Sequence, residues 1–347
     1  VAIRSNFFYT RTVPCELWFL NRAKPEAHRD KVLMIDARNI YRKVTRKIFD
    51  FSPEQEQNLL AIVWLYRGET GRYLDLVAGY SQRMLTEGAT CFTMKDDEGE
   101  TVEPLPDFIG ALATLRSSIE PFLKTLAKNA PHDVRAIHES PLRELDDAIP
   151  LFKADVESFR KTVTEQQAAW GEQKTTNGEL KKAVDRLATL AETSRDLVKQ
   201  TDLLYKLACR LIETCENDCE ARDSNAWAGR DITRARKAAD EARALAVEQL
   251  KQVRYFWKQA HWLTERFPEA KLRDVEGLVK LVNRAEIEDN DWSLTPGRYV
   301  GVAPEEEDED FDFEEALRDI HVELEDLNAE AVQLAATIKR NFEELWV

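Results

Sequence analysis

Hydrophobic and polar positions along this chain follow two regimes. In the first 37 residues apolar side chains run nearly unbroken, as VAI, then TVPCELWFL, then KVLMIDA after the charged stretch NRAKPEAHRD. Runs this long, β-branched and aromatic, fit strands buried on both faces. They predict strands over residues 1–3, 12–20 and 31–36, the last two forming an antiparallel pair across the charged turn. Three strands cannot cover both of their own faces, so they read as the border of a larger sheet.

From Arg38 a helical period takes over. RNIYRKVTRKI spaces Arg38, Arg42 and Arg46 four apart, which predicts a helical ridge of cations with Lys43 and Lys47 beside it. SPEQ at residues 52–55 has the form of a capping box with Pro53 at the first helical position, opening a helix that stops near Gly68. Another helix begins near Asp75 and ends before the charged loop at 95–107, and FIGALATLRSSIEPFLKTL forms an amphipathic helix despite Pro121.

The middle of the chain carries heptad spacing. Leu180, Val184, Leu187, Ala191, Ser194, Val198, Thr201, Tyr205, Ala208, Ile212, Cys215 and Cys219 alternate steps of four and three, the seam of a coiled-coil arm. Gly229 and Asp231 read as stop and N-cap, and an alanine-rich helix follows over residues 232–267, closing an antiparallel hairpin. Beyond it, AEIEDNDWSLTPGRYVG is irregular and aromatic, and nine acidic residues crowd positions 305–315. A last helix then repeats Phe313, Leu317, Ile320, Leu324, Leu327, Ala331, Leu334 and Ile338 in steps of four and three, a narrow stripe suited to a partner helix. The expected organisation is 1–50, 51–175, 176–270 and 271–347.

Composition sharpens this picture. With 347 residues and 43% hydrophobic content the chain can bury a real core, while only 12 Gly and 12 Pro favour long helices over a strand-rich sandwich. The net charge of −15 excludes wrapping of nucleic acid by bulk positive charge, so any DNA contact has to be local or shared with another subunit. The longest wholly apolar run, residues 59–66, falls far short of the roughly 20 needed for a membrane helix. Five cysteines without framework spacing and no secretory signal point to reduced thiols and a cytoplasmic setting. The chain opens on Val1 without an initiator Met, which suggests a fragment.

Few residues offer chemistry. GxGxxG, GxxxxGK[ST] and GxSxG are all absent, and the five histidines form no ligand-spaced pair. Cys215 and Cys219 fall in register with the helical seam and read as small core hydrophobes, so no metal site is expected. The acidic run at 305–315 reads as a solvated linker or, alternatively, a partner-binding segment. The ridge of Arg38, Arg42 and Arg46 is either a solvated helix face or a set of phosphate contacts. Phe7, Phe8 and Tyr9 lie in a short loop between two strands, where rings either pack on missing sheet or shape a pocket that stacks a flat base.

Two stretches tip the balance. FFYTRTVPCELWFLNR with KVLMIDARN, residues 7–39, resembles the last strands of the methyltransferase domain in the modification subunit of type I restriction-modification systems. EDNDWSLTPGRYVG, residues 288–301, followed by an acidic linker and a heptad helix, resembles that subunit's C-terminal signature. The resemblance covers residues 1–75 and 275–347, while the central hairpin looks like an insertion. It implies an α/β edge of a Rossmann-like methyltransferase sheet, followed by a mostly α-helical region with a long helical hairpin. It implies methyl transfer from S-adenosylmethionine to the exocyclic amine of adenine in DNA, with a specificity subunit and a restriction subunit as partners. The family's cofactor loop and Asn-Pro-Pro-aromatic motif do not occur here, so catalytic residues are expected upstream and the chain alone is expected to bind no cofactor and methylate nothing. Phe8 or Tyr9 would face the flipped adenine, and Leu317, Ile320, Leu324, Leu327, Leu334 and Ile338 would dock the specificity subunit. The alternative is a non-enzymatic helical scaffold whose coiled-coil arm tethers partners.

Overall fold

The computed structural model describes residues 1–8, 12–45, 48–129, 132–303 and 313–344. Two compact units result, Val1–Gly301 and Val302–Val347. The first is mostly helical with small antiparallel sheets; the boundaries expected at residues 50, 175 and 270 all fall within it.

Strands gather at the front. β1 (Ala2–Ile3) pairs antiparallel with β2 (Cys15–Glu16), and β3 (Lys31–Ile35) pairs with a strand far downstream, while residues 36–37 just after it touch β1. β4 (Arg42–Thr45) and β5 (Ile48–Asp50) form their own hairpin. α1 (Pro53–Tyr66) and α2 (Thr70–Thr90) follow, then the short hairpin of β6 (Met94–Lys95) and β7 (Thr101–Val102). The long helices are α3 (Pro104–Asn129), α4 (His132–Trp170), α5 (Asn177–Asp218) and α6 (Gly229–Arg266). β8 (Val279–Asn283) and α7 (Arg284–Asp289) close the first unit, and α8 (Phe313–Glu344) makes the second.

Three expectations need correction. The 12–20 run does not pair with 31–36: β2 joins β1 and β3 joins β8, in register from Lys31 opposite Asn283 to Ile35 opposite Val279. The charged stretch between them makes a 3₁₀ turn at Glu26–His28, with His28 stacked on Tyr66 at 4.2 Å, and so carries the chain away from a tight hairpin. Pro14 lacks the N–H a ladder needs, and only two residues of that run are strand. A single parallel bridge from Ala2 to Asp36, with Ala37 N–H donating to Ala2 C=O at 2.9 Å, links the two ladders. A full Rossmann-like sheet is not found among the described residues.

The cationic ridge is not helical. Arg42 lies on β4, where Val44 and Thr45 favour extended backbone and a bidentate cross-strand pair with Asp50 ties the hairpin, so four-residue spacing there was a coincidence of sequence. Arg46 lies outside the described residues.

The central helices do not project as an arm. α5 buries most of the expected seam, Val198 and Tyr205 only in part, and beside it Leu190, Leu197, Leu204 and Leu211, so its apolar stripe is too broad for a two-helix coil. It packs against α4 on one side and α6 on the other, and α6 packs also on α2 and α3. α6 starts at Gly229, with Ala228 rather than Asp231 at the N-cap. α2 starts at Thr70, earlier than expected from its apolar pattern.

The capping box on α1 forms as read, with Gln55 N–H donating to Ser52 Oγ at 3.2 Å and Gln55 Oε1 accepting from Ser52 N–H at 2.9 Å. The same corner meets α6. Tyr255 donates to Glu54 Oε2 at 2.8 Å and lies 2.9 Å from Ser52 Oγ, while Asn58 Nδ2 donates to Gln259 Oε1 at 2.8 Å. Fully buried Tyr73 donates to the carbonyls of Leu263 and Phe267 at the end of α6. These contacts fix the strand-bearing front to the bundle. No described helix is long and apolar enough to cross a membrane.

Candidate nucleic-acid interface

The opening aromatics part company at the end of β1. Ala2 and Ile3 are buried, and Asn6 then takes a left-handed turn at φ 59°, a conformation its short polar side chain tolerates. Its carbonyl accepts from Phe49 N–H at 3.2 Å. Phe7 packs on Phe51, ring centroids 4.5 Å apart, and edge-on to Phe8 at 5.6 Å. Phe8 itself remains 40% exposed, so Phe7 anchors the loop and Phe8 is presented. Tyr9 lies outside the described residues.

The β4–β5 hairpin backs this loop. Tyr41 and Phe49 meet edge to face at 5.2 Å, and the Arg4 guanidinium lies over both rings, 3.7 Å and 3.8 Å from their centroids. The Tyr41 carbonyl accepts from Gln55 Nε2 at 2.9 Å, which ties the hairpin to α1. Arg42 donates to both Asp50 oxygens, and this hydrogen bonding holds the Asp50 carboxyl below its usual range.

Arg38 is fixed differently. Its Nε and Nη2 donate to Asp36, which is 8% exposed, with the shortest contact at 2.6 Å. That pairing raises the guanidinium's affinity for its proton, and the outer half of the side chain stays open to solvent. Against this fork lies Gly297, where a Cβ would come 2.5 Å from Arg38 Nη2. Gly297 belongs to the NDWSLTPGRYVG stretch and Asp36–Arg38 to KVLMIDARN, so the two stretches read from opposite ends of the chain are in contact. They share one small core of Met34, Val282, Ile287, Tyr299 and Val300, and a second capping box at Asn283 and Glu286 sets α7 against it.

Sequence reasoning passed over Arg4 and β8. The signal for β8 was present, since KLV at 280–282 is β-branched and apolar. Charge supplies another clue: the first 47 residues hold 11 Lys and Arg against four Asp and Glu, within a chain of net charge −15. The front of the chain is therefore basic in sequence while the whole chain is acidic. The apolar tail of β2 is open to solvent, with Trp18 65% and Leu20 95% exposed.

Elsewhere the chemistry is quiet. All five cysteines are free, burial pushes the Cys215 thiol up to about 12, and no group of metal-ligating side chains occurs among the described residues. The first 67 residues contain no glycine, so no strand of the front leads into a glycine loop that could cradle S-adenosylmethionine, and the residues present do not form a site for it.

Residues 1–80 match the model of the N-6 DNA methylase family. The match falls on the same front part of the chain that carries the resemblance. Over 68 residues the chain is 40% identical to the type I restriction enzyme HindI methylase subunit of Haemophilus influenzae, which covers 20% of this chain and 15% of that protein. Over 47 residues it is 38% identical to the type I restriction enzyme MjaIX methylase subunit of Methanocaldococcus jannaschii, covering 14% and 8%. The matched segment runs from β1 through α1 into the first half of α2 and includes Arg4, Phe8 and both Arg–Asp pairs. The aligned stretches span less than a sixth of either relative's length. No solved structure matches significantly.

Proposed function

We propose that this chain is part of a type I modification subunit that transfers a methyl group from S-adenosylmethionine to the exocyclic amine of adenine in DNA. The observation that carries the reading is the meeting of the two distant stretches, with Gly297 seated on the Asp36–Arg38 fork, inside a chain whose front matches N-6 DNA methylases. A scaffold with no link to methylation has no reason to carry that pair of stretches.

The glycine loop and the Asn-Pro-Pro-aromatic motif do not occur among the 347 residues, so the cofactor and the catalytic groups come from polypeptide outside them. That polypeptide would cover the apolar tail of β2. Phe8, with Tyr9 beside it, stacks the adenine extruded from the duplex, since a flat ring on a presented loop suits a flat base. The basic front, Arg38, Arg42 and Arg46 included, faces phosphates, with Arg38 and Arg42 acting from within ion pairs.

α8 exposes Leu317, Ile320, Leu324, Leu327, Leu334 and Ile338 along its length, an apolar stripe that a helix of the specificity subunit would cover. DNA and a restriction subunit complete the assembly, in the cytoplasm. The test is a methylation assay on the complete subunit with its specificity partner. Formation of N6-methyladenine supports the reading, and a complex that binds DNA without ever methylating it returns the chain to the scaffold alternative.

A further inference from the structure

Three arginines stand out in the strand-bearing front, and they are not equivalent. Arg38 and Arg42 each spend their donors on a carboxylate. Arg4 has no carboxylate partner among the described residues; only the rings of Tyr41 and Phe49 hold it. Ring faces attract a cation through their quadrupole, and so orient a guanidinium without neutralising it or occupying its N–H groups. Its Nε is shut off from water and has no hydrogen-bond partner, an arrangement that costs stability and that a purely structural strut does not require.

Position adds to this. Arg4 directly follows β1, at the start of the loop that carries Phe8. The hairpin that holds Arg4 also holds the loop carrying Phe8, through Asn6 C=O on Phe49 N–H and through Phe7 next to Phe51. A planar, permanently charged fork with unfilled donors is suited to a phosphate.

We propose that Arg4 is a positioning residue that takes a backbone phosphate next to the extruded adenine, with its terminal amino groups, while Phe8 receives the base. The proposal rests on the methylase reading and deepens it.

The test uses the complete subunit in complex with its specificity partner, and DNA affinity is measured over a range of salt concentrations. Losing one phosphate contact lowers the slope of log affinity against log salt by about one and weakens target and non-target duplexes alike. Arg4→Met should do this and Arg4→Lys should keep the slope of the unmodified complex. Should Arg4→Met fail to fold, the unmodified complex decides: a methylphosphonate replacing a phosphate that flanks the target adenine should weaken its binding several-fold. A wild-type slope in Arg4→Met, or indifference to every flanking methylphosphonate, overturns the proposal and leaves Arg4 as a strut for the hairpin. Failure of the unmodified complex to methylate would instead sink the functional reading, so the two failures are distinguishable.

Discussion

Phe8 and Gly297 define what single residues contribute. Phe8 is presented while Phe7 is packed, so removing the Phe8 ring leaves the loop's anchor intact. In the complete subunit, Phe8→Ala is expected to slow methyl transfer by about 5- to 100-fold, as loss of one base–aromatic stack of about 1–3 kcal/mol implies, with duplex affinity within a few-fold. Single-turnover kinetics beside equilibrium binding separates the two; an effect confined to affinity argues against stacking of an extruded base. Gly297 has no room for a methyl group, because Arg38 Nη2 would lie 2.5 Å from it. Gly297→Ala is therefore expected to cost about 1–3 kcal/mol by urea denaturation, with part of the loss recovered when Arg38→Ala is added. Additive losses would mean that the two stretches do not press on each other. Much of this was out of reach of a linear reading: Phe7 and Phe8 are chemically alike, and only the positions of Phe51 and Phe49 decide which ring is covered.

Elements were legible where local physics sets them. The α1 capping box, with Pro53 behind Ser52, needs only four consecutive residues, and it forms as read. The arginine ridge failed because spacing by four is compatible with either structure, and a non-local pair, Arg42 with Asp50, decided for a hairpin. Heptad spacing in α5 was real, yet the adjoining leucines from Leu190 to Leu211 turned a seam into a core face. α4 gave little periodic warning, since Pro141 and Pro150 interrupt the pattern that would announce it. α8 is the element whose apolar stripe stays uncovered, and its test is direct. Leu324→Asp with Leu327→Asp should abolish co-purification with a specificity subunit while leaving the first unit's thermal unfolding unchanged; undiminished complex formation refutes the docking role.

On the scale of the whole molecule, the front of the chain is a basic, aromatic and strand-bearing part fixed to an acidic helical bundle. β3 is completed by β8 from some 250 positions away. Beyond Leu17, which pairs with Val1, the tail of β2 has no strand partner among the described residues, and Leu17 through Leu20 stay exposed. The front presents the exposed ring of Phe8 and the guanidinium of Arg4 held over Tyr41 and Phe49. The most direct measurement is mass spectrometry of target DNA after incubation with S-adenosylmethionine and the specificity partner, using in parallel the complete subunit and the 347-residue chain. The account expects N6-methyladenine from the complete subunit and none from the chain alone; N6-methyladenine formed by the chain alone would contradict it.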